Sequence, residues 1–448
     1  MRNKILKTAA MALCALFVVG GANLKVKAED NISVGEENVQ STVNTECVVD
    51  TLGTGGGNSL KITPADNGLS GIWYTAPELD KYSFGDKVHF ETTVRLDQSG
   101  VKYASADFVN EAGEYIDGGF RIRKWQNLLF DATVYVRDGK KCVFVGVKNG
   151  EGVTVNLSKV AFSDDVYDKS DMFGGVTLYQ IEPQVNQTEG FMLVTENGKI
   201  VMMDGGDYRD KDTVLNLIRS YKNEVDYWFV SHYHCDHVYS VLRILNEEDI
   251  YIRNLYFDFD VSDEVLNAYG DGDKENHLVA EFKEAVANNR SKIGNVITPA
   301  KGDEYVIDDD LKVKVLNKAY FREQSNMPND SSVVYKFETP KKSILFLGDM
   351  GTYGDDLIKD EYFKSEAETC EVVQMGHHGQ NGVSNNFYKS LKAMKVCLYC
   401  APTYLFDCDN GNGYGTISRL KTLETRELMR TLKVRLTISC KNGRTVLR

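Results

Sequence analysis

The 448-residue chain lacks any internal stretch able to cross a bilayer, and its one long apolar run, Ala9 to about Gly20, is too short. A spanning helix would need ~20 such residues. Arg2, Lys4 and Lys7 precede the run, and Val26-Lys27-Ala28 supplies small residues just ahead of Glu29. This order reads as a secretory signal over residues 1–28, followed by an exported, soluble chain with no membrane span. Cys14 lies mid-run after Leu13, which does not suit a lipoprotein site. Positive charge is also scarce, with 52 Lys+Arg against 65 Asp+Glu and a net charge of −13. Residues 1–28 hold five basic and no acidic side chains, so the remaining chain stands at −18. A surface this acidic repels nucleic acid, whose binding rests on cationic contacts to phosphate, and excludes a long nucleic-acid tract as partner. A small phosphate remains admissible, because bound metal ions reverse the local field.

Repeats and low-complexity tracts are absent, which excludes solenoid architectures. The eight cysteines beyond residue 28 lack the spacing of a disulfide framework. Cys397-x-x-Cys400 falls on an apolar run that reads as a strand, so alternation sends the two thiols to opposite faces and favours a structural role.

Histidine is rare, seven in all, and three fall inside Ser231-His232-Tyr233-His234-Cys235-Asp236-His237. The apolar Val225, Tyr227, Trp228, Phe229 and Val230 precede this cluster as a strand. Val238, Val241, Leu242 and Leu245 follow at helical spacing. The cluster therefore occupies a strand-to-helix turn, at the edge where α/β folds place their sites. His232 and His234, two apart on extended chain, can bind one metal ion. Asp236 and His237, further round the turn, can reach a second. Imidazole with carboxylate suits Zn²⁺ best and accepts Mn²⁺ or Fe²⁺.

The mature length exceeds one ordinary core. Residues 29–45 are polar and read as a disordered leader. Residues 46–165 carry short strands, among them 89–96, 132–136 and 142–147, separated by Gly, Asp and Asn turns, which predicts an all-β sandwich. This region weakly resembles the jelly-roll modules that bind carbohydrate on secreted enzymes. Trp73, Tyr74, Tyr115 and Trp125 either form a sugar-stacking platform or fill the sandwich core. His89 alternates within a strand and reads as a packed histidine. From about residue 172 to 448 strands and helices alternate, so the fold class is α/β. Expected strands include 176–181, 191–195, 199–203 and 311–315, a hairpin joins 333–337 to 343–347, and 434–439 closes the chain. Ser384 is placed to cap a helix.

The pattern His-x-His-x-Asp-His resembles the signature of the metallo-β-lactamase superfamily. Further matches fall in that family's order: Met202-Met203-Asp204-Gly205-Gly206, Gly348-Asp349 after an apolar strand, and Gly376-His377-His378-Gly379. Asn329-Asp330-Ser331-Ser332 brings the chain closest to the branch that holds DNA-uptake competence proteins and teichoic-acid phosphorylcholine esterases. The resemblance runs from about Val176 to the C-terminus and implies a four-layered αβ/βα sandwich with two divalent ions. It implies His232 and His234 on the first ion, Asp236 and His237 on the second, and Asp349 bridging both. His378 is the preferred remaining ligand of the second ion and His377 the substrate contact, with the reverse assignment open. Asp236, His377 and Asn329 form the expected catalytic set, Asp204 orients a ligand histidine from behind, and Ser332, behind the ligands, can like Asn329 donate to a phosphate oxygen.

Two such ions ~3.5–4 Å apart share a hydroxide near neutral pH and clamp the attacked and leaving oxygens. The expected activity is hydrolysis of a phosphate ester, in particular a phosphodiester, on a cell-envelope glycopolymer or a short nucleotide. A lactone or amide hydrolase on the same ions, and a glycan-binding protein with a non-catalytic metal site, are the alternatives. The chain departs from many superfamily members in lacking a histidine ligand between the first motif and Asp349. His277, the one histidine in that interval, reads as surface on an acidic helix. Val238-Tyr239 also stands where the family often has smaller residues, which predicts a narrowed mouth.

Overall fold

The computed structural model describes Val34 onward, except residues 52, 55, 56, 66, 67, 151, 185, 186, 322–325, 381, 407–416 and 441–444. The expected signal segment, residues 1–28, and Cys408 lie outside the described residues. Among those described, no helix is long and apolar enough to cross a membrane.

The N-terminal strands form two facing antiparallel sheets. One runs Val39–Val43, Ser70–Thr75, Lys140–Lys148, Tyr103–Val109, Tyr115–Arg121, and the other Thr45–Asp50, Ser59–Pro64, Thr154–Ser163, Lys87–Asp97, Gln126–Thr133. Val34 is buried in their shared core and Val39–Val43 is an edge strand, so the described part of 29–45 is structured rather than a leader. The burial of Val34 and the ladder to Ser70–Thr75 compensate for the polar composition that suggested disorder. The four aromatic residues do not share one platform. Tyr74 sits in the sandwich core, Tyr115 faces the second domain, and Trp73 packs on Tyr135 and Phe144 beneath the Arg137 guanidinium. His89 is buried beside Asp131.

The second domain has two seven-stranded sheets. The first is ordered Ile293–Ile297, Tyr251–Tyr256, Glu224–Phe229, Ile200–Asp204, Gly190–Val194, Thr177–Gln180, Thr445–Leu447. The second is ordered Glu304–Asp308, Leu311–Val315, Tyr335–Glu338, Ser343–Phe346, Val372–Gln374, Val396–Tyr399, Leu436–Ser439. Each begins as an antiparallel meander and ends in parallel strands. Alternation along each strand feeds two cores. Val201, Met203 and Phe229 meet Phe337, Ile344 and Phe346 between the sheets, while Met202 and Trp228 face helices Lys211–Arg219 and Cys235–Glu247 outside. Leu345, Val373 and Cys397 do the same on the far side, and Cys400 points back into the inter-sheet core. The result is four layers, helix–sheet–sheet–helix. The chain does not close with Leu436–Ser439. Thr445–Leu447 crosses to the first sheet and pairs with Thr177–Gln180.

Helix Ile417–Thr431 joins the two domains. Arg426 and Arg430, both nearly inaccessible, converge on Asp117 of the sandwich with contacts of 2.6 to 2.9 Å. Their guanidinium groups also stack on Phe406 and Phe120. Burial opposes ionisation of Asp117, yet the two guanidinium groups hold its carboxyl below the usual carboxylate range. Removing one side of a buried pair leaves charge uncompensated. Asp117→Ala is therefore expected to destabilise the protein by about 3–5 kcal/mol, read as a lowered midpoint in chemical denaturation. An unchanged midpoint would show that the domains do not depend on this contact.

Candidate metal centre

Four strands from the two sheets end at one place. Ile200–Asp204 delivers Asp204, Glu224–Phe229 leads to Ser231 and His232, Ser343–Phe346 leads to Asp349, and Val372–Gln374 leads to His377 and His378. His232 and His234 lie on the turn, and Asp236 and His237 on the first turn of helix Cys235–Glu247. The chain bends sharply to bring them together. Asp204, His377 and His378 all adopt left-handed backbone, with φ of 52°, 50° and 55°, a conformation that costs non-glycine residues energy and is found where function demands it. The His377-His378 turn is held by Gly348 O, by the Tyr388 hydroxyl and by Thr425 Oγ1 donating to Gly379 O. Gly348 (φ 55°) must be glycine, because a Cβ there would meet Ser231 and Ser332 at 2.8–3.1 Å.

The donor atoms are set out for a cation. His237 Nε2 lies 3.2 Å from Asp349 Oδ1, and His378 Nε2 lies 3.5 Å from the same atom and 3.1 Å from Asp236 Oδ2. His232 Nε2 is 4.0 Å from Asp349 Oδ2. Donors sharing a tetrahedral ion at ~2.0–2.1 Å would sit roughly 3.3 Å apart. The Nε2 atoms of His232, His234, His237 and His378, with Asp349 Oδ1, are buried and lack hydrogen-bond partners. Buried polar atoms are seldom left so. Their opposite ring nitrogens are occupied at three of the four histidines. His378 Nδ1 donates to Cys400 O at 3.0 Å and His237 Nδ1 to Asp204 Oδ2 at 2.8 Å. Ser231 Oγ donates to Asp204 at 2.7 Å and receives His232 Nδ1–H at 3.1 Å. Asp204 thus orients one histidine directly and a second through Ser231, leaving their Nε2 lone pairs aimed inward.

The field agrees. Burial alone would lower the histidine pKa values, and it does so at His232, aided by His237 and His234. At His378 the carboxylates Asp349 and Asp236 outweigh burial and push the pKa up to about 10. His237 is raised for the same reason by Asp349 and Asp204. Burial opposes ionisation of Asp349, but His378 and His237 hold its carboxyl far below the usual range. The cluster therefore attracts positive charge at the atoms that would bind a metal. His232, His237 and Asp349, and separately Asp236, His237 and His378, form groups able to hold an ion.

The other expected residues divide. His377, 23% exposed, lines the cleft with Nε2 3.8 Å from Asp349 Oδ2. Asn329 also lines it, its Nδ2 on Asn326 and its Oδ1 without a partner. Ser332 is buried and its Oγ accepts the Asp349 N–H at 3.1 Å, so it braces the Gly348-Asp349 turn and does not line the cleft. Val238 points into the core and Tyr239 packs on Tyr208, so neither narrows the mouth. Cys235 sits at the rim.

Two carboxyls were not anticipated. Glu189 is fully buried and within ligand range of Asp349 and His378, its Oε2 accepting from Gln374. Burial pushes its carboxyl well above the usual range, against His237 and with Asp204 and Asp349. The only signal was a lone acid immediately before the buried strand Gly190–Val194. Asp271 stands 3.0 Å from His234 Nε2.

No family model and no curated protein matches the chain. Among solved structures it is similar to the metallo-β-lactamase fold protein YhfI from Bacillus subtilis, at 12% identity and TM-score 0.37 over 61% of this chain and 99% of that one. It is also similar to unliganded yeast PDE1, at 11% identity and TM-score 0.41 over 61% and 99%. Zn²⁺-bound PqqB from Methylobacterium extorquens gives 10% and 0.36 over 61% and 99%. The helix–sheet–sheet–helix layering described above is the four-layered sandwich expected from the sequence.

Asp204→Asn retains a side chain that tolerates left-handed backbone but removes the charge facing His237 and Ser231. Zinc affinity, measured by competition with a chromophoric chelator, is expected to fall by about 10–100-fold. Unchanged affinity would contradict the orienting role.

Proposed function

We propose that the chain is an exported hydrolase that uses two divalent cations to cleave a phosphate ester, in particular a phosphodiester. The observation that carries this reading is the set of buried Nε2 atoms without partners, gathered around Asp349 at the floor of an open cleft. His232, His234 and Asp349 would hold one ion. Asp236, His237, His378 and Asp349 would hold the other. Zinc suits this set best, with manganese or iron admissible. When bound, the ions would supply Lewis acidity and lower the pKa of water at the site.

The chain's own residues do the rest. Asp204 and Cys400 O fix the histidine tautomers. Ser332 and the Gln374 amide brace the Gly348-Asp349 turn. His377 and Asn329, on the cleft wall, are the groups available to hydrogen-bond a phosphate oxygen, and His377 can hand a proton to the leaving oxygen.

The cleft, about 380 Å³, is lined by Asp207, Asp236, Asp271, Glu275 and Asp349, with Lys274 the one lysine or arginine lining it among the described residues. An anionic phosphate would be repelled unless cations stood between, so the ions both admit and activate it. The acidic surface disfavours long nucleic acid and leaves an envelope glycopolymer substituent or a short nucleotide. The sandwich would hold the enzyme on glycan, with the partly exposed Trp73 and Trp125 as contacts.

The test is hydrolysis of a chromogenic phosphodiester, beside a chromogenic carboxylic ester and a lactone, by the purified chain with Mn²⁺ or Zn²⁺. The phosphodiester is expected to turn over, and the His232→Ala/His234→Ala variant to fall to background. Turnover of the lactone or ester alone would sink the phosphodiester reading. Metal binding with no turnover of any substrate would point to a binding protein instead.

A further inference from the structure

The two proposed ion sites are unequal in their donors. The second has Asp236, His237, His378 and the shared Asp349. The first has His232, His234 and Asp349, because no histidine is supplied between the first motif and Asp349; His277 is exposed at the start of helix His277–Asn288. That interval nevertheless brings a carboxylate to a histidine of the first motif. Between strands Tyr251–Tyr256 and Ile293–Ile297 the chain makes a helical excursion, Asp263–Tyr269 and then His277–Asn288. The turn joining these helices carries Asp271, whose Oδ2 lies 3.0 Å from His234 Nε2 on the cleft wall.

Three observations separate this contact from a chance surface ion pair. First, although the two atoms are 3.0 Å apart, they do not meet hydrogen-bond geometry, and His234 Nε2 is buried without a partner. The spacing is near that of two donors sharing one ion, roughly 3.3 Å for ~2.0–2.1 Å bonds, while the alignment is poor for a direct bond. His237 Nε2 and Asp349 Oδ1 have the same character at 3.2 Å, both without partners.

Second, the turn is anchored to the metal motif. Glu275, only 5% exposed and four residues beyond Asp271, accepts the backbone N–H of Cys235 at 3.0 Å, at the first residue of the motif helix. A carboxylate there also suits the positive end of that helix.

Third, the turn has a fixed shape. Gly272 takes φ 65°, and a Cβ on Gly270 would overlap Asn276 Oδ1 and Leu266 O. Asn276 Nδ2 donates to Leu266 O at 2.8 Å, and Gly270 N–H to the same oxygen at 2.9 Å. Asp271 is thus held by a built turn tied to the very motif whose histidine it meets.

We propose that Asp271 is a ligand of the first ion, supplying by carboxylate the donor that the missing histidine would have provided. The inference rests on the reading of this cluster as a two-ion site. With Asp271 each ion has two histidines, one carboxylate of its own and a share of Asp349, so the two sites become equal in donor type. Metal binding is then coupled to the helical excursion, because the same turn bears Asp271 and Glu275.

The experiment loads the full chain, the Asp271→Asn and Asp271→His variants, and Asp349→Asn with Zn²⁺ and with Co²⁺. Bound metal per chain and stepwise affinity are read by chelator competition, and the Co²⁺ ligand-field spectrum reports coordination at each site. The parent chain is expected to bind two ions. Asp271→Asn should keep one ion at parental affinity and bind the other at least tenfold more weakly, with a changed Co²⁺ spectrum. Asp271→His should restore the weakened ion, which also guards against misfolding as the cause. Asp349→Asn, which removes the shared carboxylate, should weaken both ions. Two ions bound by Asp271→Asn at parental affinity, with an unchanged spectrum, would overturn the assignment while leaving the two-ion reading intact. Fewer than two ions on the parent chain would overturn the two-ion reading itself, and the assignment with it.

Discussion

The structure is organised around buried carboxyl groups gathered opposite buried histidines at one junction. Asp204, Asp349 and Glu189 lie at the junction of two sheets with almost no exposure, and Asp236 reaches in from the rim. Burying a carboxylate is expensive unless it is paired or bound to metal. Three buried histidines stand opposite, and at two of them the carboxylates overcome burial to favour a positive charge. Either protons or metal ions must occupy those nitrogens. Divalent ions do so with directional bonds to every orphaned donor at once, which single protons cannot.

The architecture answers this constraint by splitting the site between its halves. The first parallel pair of strands in each sheet contributes two strand ends, so the donors come from both halves. Left-handed turns at Asp204 and His377-His378, and the glycine at 348, bring the ends closer than regular geometry allows. Their cost is met by the apolar core between the sheets, where Phe229, Phe337 and Phe346 interlock. The helix that carries the Asp117 contacts also holds Gly379 through Thr425. Domain docking and the shape of the His-His turn are therefore borne by one element.

Much of this was legible in the residues. The first motif is compact, so its ligand spacing is a local property, and the alternating strands around it follow from a period of two. Asp204 could be placed because it ends a strand beside two glycines. The different placements of His377, on the cleft wall, and His378, buried beside Asp236 and Asp349, needed the backbone, since neighbours in a left-handed turn diverge by an angle that no pattern encodes. Asp271 and Glu189 were invisible for another reason. In a chain with 65 acidic residues, a single carboxylate brought in from a distant turn carries no local mark. Val34 and strand Val39–Val43 were hidden by polar neighbours, and Tyr74 and Tyr115 by the lack of any signal separating a packed aromatic from an exposed one. The Asp117–Arg426–Arg430 contact spans about three hundred residues of sequence and leaves no trace in composition.

The most direct measurement of the central claim is anomalous diffraction from crystals of the full chain grown with zinc, recorded on both sides of the absorption edge. Two peaks flanking Asp349 are expected, ~3.5–4 Å apart, each within bonding distance of histidine Nε2 atoms. A single peak away from Asp349, or no peak in a protein that is otherwise well ordered, would contradict it.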